Sequence, residues 1–349
     1  AVTGQLIRNA IAIQGPGYMQ AISPLAENTP SPNIDEAQLL SPGTPHVAIL
    51  MCTYNGETFL SSQLKSFESQ SHPNWSLHVS DDGSTDHTLA LLQQHLSTWK
   101  RNSWRIVSGP REGFARNFLS LTCRQDIDAD YFAWSDQDDI WSPEKLEIAI
   151  KWLKNIPDDV PALYCGRTQI VCEQGISRGL SPMFPFPPHF RNALVQSIAG
   201  GNTMLFNRAA RALLIEAGEH LTIPSHDWWC YQLVTSAGGI VHYDPQPMLL
   251  YRQHGNNIIG SNFDWRARTS RLFLLFQGQF YKWNDQNIYA LESMSHRMSS
   301  DSCRTFTLFK KARNQILPAR LITMARAGLY RQTFFGNLGL LLATLLKKI

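Results

Sequence analysis

Long hydrophobic runs, paired cysteines and glycine-rich loops are all scarce in this 349-residue chain, and each gap removes a class of protein. No stretch of about 18 apolar residues occurs, which predicts no membrane-spanning helix. The first residues carry no charged segment followed by an apolar one, so a cytoplasmic setting is expected rather than export. The six cysteines (Cys52, Cys123, Cys165, Cys172, Cys230 and Cys303) are scattered, without a Cys-x-x-Cys pair. That argues against a thiolate metal site or disulfide framework and predicts reduced thiols, with Cys52, Cys123 and Cys230 in apolar stretches. The first apolar run is followed by Thr53-Tyr54-Asn55-Gly56, neither a phosphate-cradling glycine loop nor Gly-x-Gly-x-x-Gly. A nucleotidyltransferase or a dinucleotide oxidoreductase would want one of these there.

Charge is sparse as well. At 17% charged residues and a net +3, no nucleic-acid partner is expected. The distribution is uneven, however. Residues 301–349 hold nine Lys or Arg against one acid, Asp301, a tail of +8 that leaves the first 300 residues at −5.

What is present is an ordinary globular composition, 43% hydrophobic, able to bury a sizeable core. Residues 1–45, with Pro16, Pro24, Pro30, Pro32, Pro42 and Pro45, read as a poorly ordered leader in which Leu39-Leu40 could dock. Residues 46–260 read as the catalytic domain and 261–349 as a helical, basic extension. Order begins at His46 to Met51, an unbroken apolar run of buried-strand type. Further strands are expected at Leu77–Ser80, Arg105–Val107 and Tyr131–Trp134, with helices after each. Ser84 or Thr85 is expected to cap the second helix, and Ser142-Pro143-Glu144 to open the fourth. Strands alternating with helices at this spacing predict an α/β fold with a mostly parallel sheet. In such sheets ligands bind beyond the carboxyl ends of the strands. Polar clusters fall at three such ends: Thr53-Tyr54-Asn55-Gly56, Asp81-Asp82-Gly83 and Asp136-Gln137-Asp138-Asp139.

Three carboxylates within four residues repel one another unless a cation holds them. Asp136 and Asp138, in Asp-x-Asp spacing, suit a hard ion such as Mg²⁺ or Mn²⁺. The alternative is a solvated acidic turn. Asp81 and Asp82 read either as a tight turn or as acceptors for a nucleobase or ribose. His226-Asp227-Trp228-Trp229 sets a carboxylate beside two indoles, where partial desolvation favours proton acceptance and aromatic faces suit a sugar ring. The rival is a helix-start Asp with core tryptophans. Arg252 and His254, in Tyr251-Arg252-Gln253-His254-Gly255-Asn256-Asn257, are candidates for a diphosphate leaving group, or lie in a solvated loop. Gly201 and Asn202 could bring backbone close to a ligand. A non-catalytic sugar-binding protein needs neither a metal pair nor a base, and the joint occurrence of three strand-end clusters argues against it.

In order, Ala48 to Gly56, Asp81 to Asp86, Ser135 to Trp141, Gly201-Asn202-Thr203, His226 to Trp229 and Tyr251 to Asn257 resemble the family 2 glycosyltransferases, most of all the bacterial rhamnosyltransferases of lipopolysaccharide or capsule assembly. The match spans about residues 46–260. The resemblance implies a GT-A fold, a divalent metal and an inverting single displacement. It implies that Asp81 contacts the donor's base, that Asp136 and Asp138 bind the metal, and that Asp227 is the catalytic base. The donor, dTDP-rhamnose on this resemblance, is expected against Thr53, Tyr54, Asn55, Asp81, Asp82, Asp136, Gln137, Arg252 and His254. The acceptor, a hydroxyl of a free or lipid-linked glycan, is expected near Gly201, Asn202, Trp228 and Trp229. Two departures stand out: Arg111-Glu112-Gly113 replaces the usual Asn-x-Gly, and His226 replaces the usual Glu. The Gln-x-x-Arg-Trp signature of processive synthases is absent, which fits transfer of one sugar or a few. Finally, Phe334 to Leu346 followed by Lys347-Lys348 is too short to span a bilayer; it fits either a lipid-interface segment, peripheral on the cytoplasmic face, or a last packed helix.

Overall fold

The computed structural model of the chain describes residues 43–100, 102–254 and 279–349. The expectations for residues 1–42, including Leu39-Leu40, and for Gly255-Asn256-Asn257 fall outside the described residues.

Strand β1 (Val47–Thr53) is buried at every position, which is why its sequence is an unbroken apolar run. Its alternate residues serve two cores. Val47, Ile49 and Met51 face one, and Ala48, Leu50 and Cys52 face the other, as the two-residue period of a strand requires. Helix α1 (Leu60–Glu68) leads to β2 (Trp75–Asp81), then α2 (Thr88–Leu96), β3 (Trp104–Ser108), α3 (Phe114–Cys123) and β4 (Tyr131–Ser135). β1 pairs in parallel with both β2 and β4, with Thr53 opposite Asp81 and Met51 opposite Ser135. That register lines up three carboxyl ends at one edge.

The chain continues through β5 (Ile140–Trp141), α4 (Lys145–Leu153), β6 (Ala162–Gly166), β7 (Gln169–Cys172), β8 (Ser177–Leu180), α5 (Phe190–Ala193), β9 (Leu205–Asn207), α6 (Arg208–Ala217), α7 (His226–Ser236), β10 (Ile240–Asp244) and β11 (Leu249–Gln253). The main sheet runs β10-β6-β9-β4-β1-β2-β3, parallel except for β9. A smaller sheet, β5-β11-β7-β8, carries the residues that follow the acidic cluster. Four helices close the chain: α8 (Gln279–Ser293), α9 (Ser300–Asn314), α10 (Ala319–Ala327) and α11 (Phe334–Leu345). Phe306, Phe309 and Ala343 from these helices join the core shared with α3, α6 and α7. The mostly parallel α/β sheet with a helical extension is therefore as the sequence implied.

Two expected helix starts differ. The N–H and Oγ of Ser84 turn back to Asp81, and Asp86 Oδ1 instead accepts the N–H of Thr88 at 3.0 Å, at the start of α2. Ser142 is drawn into the junction with β11, where its N–H meets the Met248 carbonyl, so α4 begins at Lys145 without a side-chain cap. All six cysteines are unpaired; Cys52, Cys165 and Cys230 are buried, while Cys123 is half-buried and Cys303 is exposed.

Candidate active site at the strand ends

The site is assembled by hydrogen bonds between neighbouring strand ends. Thr53 Oγ1 donates to Asp81 Oδ2 at 2.8 Å. The same carboxylate accepts the N–H groups of Gly83 and Ser84 and the Ser84 hydroxyl, at 3.1, 2.8 and 2.6 Å. Four donors fill the acceptor positions of a carboxylate, so Asp81 fixes its own turn before any ligand arrives. Asp82 accepts the backbone N–H of Arg111 at 2.6 Å and of Gly113 at 3.1 Å. It anchors the loop where this chain departs from the usual Asn-x-Gly.

Gln137 clasps the main chain of Tyr54 from both sides, with Tyr54 N–H to Oε1 and Nε2–H to the Tyr54 carbonyl, each at 2.9 Å. A Cβ at Gly56 would overlap that amide, so a side chain there would displace the clasp. Asn55, in the left-handed region at φ 48°, receives the N–H of Thr85 on its Oδ1 and gives its own N–H to Ser84 Oγ. The Tyr54 ring stands exposed beside this frame.

The acidic cluster divides its labour. Asp136, Asp138 and Asp139 place one carboxylate oxygen each within 4.8 Å of the others. Asp139 is wholly buried and accepts from Asn202 Nδ2 at 2.6 Å and from the Arg252 N–H at 3.2 Å. Its own N–H goes to Gln63 Oε1 at 3.0 Å. Asp138 is half-buried and faces His254 Nε2 at 2.7 Å. Burial, then the charges of Asp138 and Asp227, push the Asp136 carboxyl up to about 8. Burial likewise holds Asp139 well above the usual carboxylate range, with the Asn202 and Arg252 hydrogen bonds opposing it. Crowded carboxylates of this kind could hold a cation, which would relieve their mutual repulsion. Asp136 and Asp138 offer the oxygens a hard ion takes; Asp139 is committed inward.

A buried ammonium lies below. Lys145 Nζ sits 3.6 Å from the Trp141 ring centroid and has no hydrogen-bond partner among the described residues. Burial pushes its pKa down to about 7 against the pull of Asp139.

Asp227 lies in the first turn of α7, half-buried, with Oδ1 accepting the Trp228 N–H at 2.6 Å and the Ser225 hydroxyl. Its neighbour His226 is buried, stacked on Phe118 at 3.9 Å and edge-on to Trp134 at 4.7 Å. Neither ring nitrogen has a hydrogen-bond partner among the described residues, and burial pushes the imidazole down to about 4, so it is neutral. The ring fills the space where a Cβ at Gly201 would stand. Next in the chain, Asn202 grips Asp139. The start of α7 and the acidic cluster are thus joined through one short turn.

Two expectations need correction. Trp229 is 0% and Trp228 6% exposed, with Trp229 in the core and Trp228 Nε1 bonded to the Ala193 carbonyl at 2.7 Å. Neither indole face is open to a sugar. Arg252 is buried; its guanidinium donates to the carbonyls of Asp138 at 3.1 Å and Glu173 at 2.6 Å and lies over the Phe59 ring. It holds the acidic loop in place rather than facing a diphosphate. Gln63 and Lys145 were not singled out by sequence; Gln63 matters only through Asp139, far along the chain.

Residues 48–213 match the model of the family described as Glycosyl transferase family 2. The chain is 29% identical over 238 residues to the dTDP-rhamnosyl transferase RfbG of Shigella flexneri, covering 64% of this chain and 78% of that protein. It is 35% identical over 111 residues to the UDP-Glc:alpha-D-GlcNAc-diphosphoundecaprenol beta-1,3-glucosyltransferase WfgD of Escherichia coli, covering 31% of this chain and 42% of that one. Among solved structures, TarS 1-349 of S. aureus in complex with UDP-GlcNAc superposes with a TM-score of 0.48 at 15% identity, over 82% of this chain and 93% of that one.

Proposed function

Because residues 48–213 belong to glycosyl transferase family 2, we propose that this glycosyltransferase is an inverting, metal-dependent GT-A enzyme. It moves L-rhamnose from dTDP-rhamnose to a hydroxyl of a growing cell-surface glycan. The rhamnosyl donor is supported by the likeness to RfbG. The observation that carries the mechanism is the turn from Gly201 to Asn202, which seats the neighbour of Asp227 on one side and grips Asp139 on the other.

Asp136 and Asp138 would hold Mg²⁺ or Mn²⁺, an ion that when bound supplies positive charge to the departing diphosphate. Thr53, Tyr54, Asn55 and Gln137 form the rigid wall against which the nucleotide lies. The Asp81 turn meets the base, with the Ser84 hydroxyl the partner that yields to it. His254 orients Asp138. Asp227 takes the proton from the acceptor hydroxyl as its oxygen bonds to the anomeric carbon and the bond to the diphosphate oxygen breaks. General-base help of this kind is worth roughly 10²–10⁴-fold. Attack from the opposite face turns a β-linked donor sugar into an α-linked product. Gly201 and Asn202 position the loop, and the acceptor enters between it and Asp227.

A donor screen tests this: nucleoside diphosphate release is measured with dTDP-, UDP- and GDP-sugars, with Mg²⁺ or Mn²⁺ and with chelator. Release from dTDP-rhamnose that chelator abolishes is the expected outcome. Turnover of UDP- or GDP-sugars alone would overturn the rhamnosyl donor, and turnover in chelator would overturn the metal.

A further inference from the structure

Helix α11 has two unlike faces. Leu340, Ala343 and Thr344 are buried against the rest of the extension, while Phe334, Phe335, Leu338, Leu341 and Leu345 are exposed, the phenylalanines at 78% and 79%. At a helical turn per 3.6 residues, Phe334, Leu338, Leu341 and Leu345 fall within an arc of about 60°. Four large apolar side chains in line, with Phe335 beside them, make a continuous stripe. A folded protein rarely leaves such a stripe in water unless something covers it.

The charge around it narrows what that cover is. Lys347 and Lys348 follow the helix directly, and Arg326 is exposed at the end of α10. The one acid of residues 301–349, Asp301, is already paired with Arg191 at 2.9 Å. Arg313 and Arg320 are buried on main-chain carbonyls, Arg313 also pairing with Asp285, so both are structural. Lys311, Arg326 and Lys347 remain exposed to solvent with no acid in this segment to balance them. An apolar stripe with Lys347 and Lys348 just beyond its end, on a segment of net positive charge, complements a surface with an apolar interior and anionic headgroups. A second copy meeting the same face would bring two strongly positive tails together, and electrostatics opposes that. Spanning is excluded on length: the 12 residues of α11 reach about 18 Å, against a hydrocarbon core of about 30 Å. Among the described residues no helix is long and apolar enough to cross a membrane.

We propose that α11 seats the protein on an anionic bilayer, lying in the interface with Phe334, Phe335, Leu338, Leu341 and Leu345 in the acyl boundary and Lys347 and Lys348 at the headgroups. The surface lies outside the strand-end site, and the inference stands whichever sugar the enzyme transfers.

The test is co-sedimentation of the whole chain with phosphatidylcholine vesicles, with and without phosphatidylglycerol. Binding is expected only where phosphatidylglycerol is present, and to weaken as salt rises. A Phe334→Ser/Phe335→Ser/Leu338→Ser variant should lose partitioning by about tenfold or more, as should Lys347→Glu/Lys348→Glu, each cationic contact being worth about 1 kcal/mol. Both should keep the wild-type circular dichroism spectrum and the wild-type release of nucleoside diphosphate in solution. Wild-type protein that stays in the supernatant overturns the proposal, as do serine and glutamate variants that partition like wild type. A serine variant that turns a wild-type dimer into a monomer in sedimentation velocity, without vesicle binding by either, overturns it in favour of self-association. Loss of sugar transfer with binding intact would instead count against the proposed function.

Discussion

The proposed donor side and the proposed acceptor side of the site are built to different standards. At the ends of β1, β2 and β4 nearly every polar side chain has a fixed partner: Thr53 with Asp81, Gln137 with Tyr54, Asp82 with the 111–113 loop, Asp139 with Asn202 and Arg252. Across the site, among the described residues Asp227 is held only by Ser225 and Trp228, its own neighbours in the chain. A frame that must bind a large charged donor in one pose gains from bracing, because positioning lowers the barrier before any chemistry starts. A group that must accept a proton gains from free lone pairs. One side is set in advance; the other is left open to react.

The comparison breaks first at Asp227. Asp227→Asn should cut turnover by roughly 10²–10⁴-fold while leaving nucleotide affinity unchanged, measured by single-turnover transfer and by calorimetry. Equal losses in both would mean that the acceptor side also builds the frame. Next, Asn202→Ala removes a brace rather than a ligand. It should weaken Mn²⁺ binding by about 10–100-fold, as expected when the support of the loop that carries Asp136 and Asp138 is lost. A Mn²⁺ titration in which this variant matches wild type would show that the Asp139 brace is idle.

A smaller effect follows from pH. With its carboxyl pushed up to about 8, Asp136 keeps a proton in the folded protein between the ordinary carboxylate range and about 8, a window in which the unfolded chain has lost it. Without metal, stability therefore falls as pH rises through that window. A bound cation displaces the proton, so affinity should fall about tenfold per unit as pH drops below about 8. Calorimetric titrations with Mn²⁺ at successive pH values read the slope directly, and a flat profile would remove Asp136 from the metal site. The smallest effect is expected at Gly56. Gly56→Ala presses on Gln137 and should cost about 1–3 kcal/mol of stability, recovered in large part by adding Gln137→Ala. Thermal melts of the single and double variants would show whether the Gln137 clasp is the contact that demands glycine.

The strand-end cluster was legible in sequence because polar residues placed directly after apolar strands have few places to go but the sheet edge. Asp81, Asp136 and Asp138 were found that way. Asp139 and Arg252 could not be sorted from their neighbours, since a carboxylate or guanidinium turned inward looks the same in sequence as one turned outward. Only its partner, some 60 or 110 residues away, decides. The two tryptophans were misread for another reason. Ten of the eleven residues of α7 are buried, so the helix has no polar stripe to indicate which indole faces the site.

His226 and Gly201 share one further consequence. The imidazole occupies the volume a side chain at 201 would need, so neither position can drift alone. A lineage that exchanges His226 for the flexible Glu common among similar proteins releases position 201 to accept alanine. One that keeps the ring is bound to glycine. Residues 201 and 226 should therefore change as a pair across descendants of this protein, a mark of direct contact between two positions 25 residues apart.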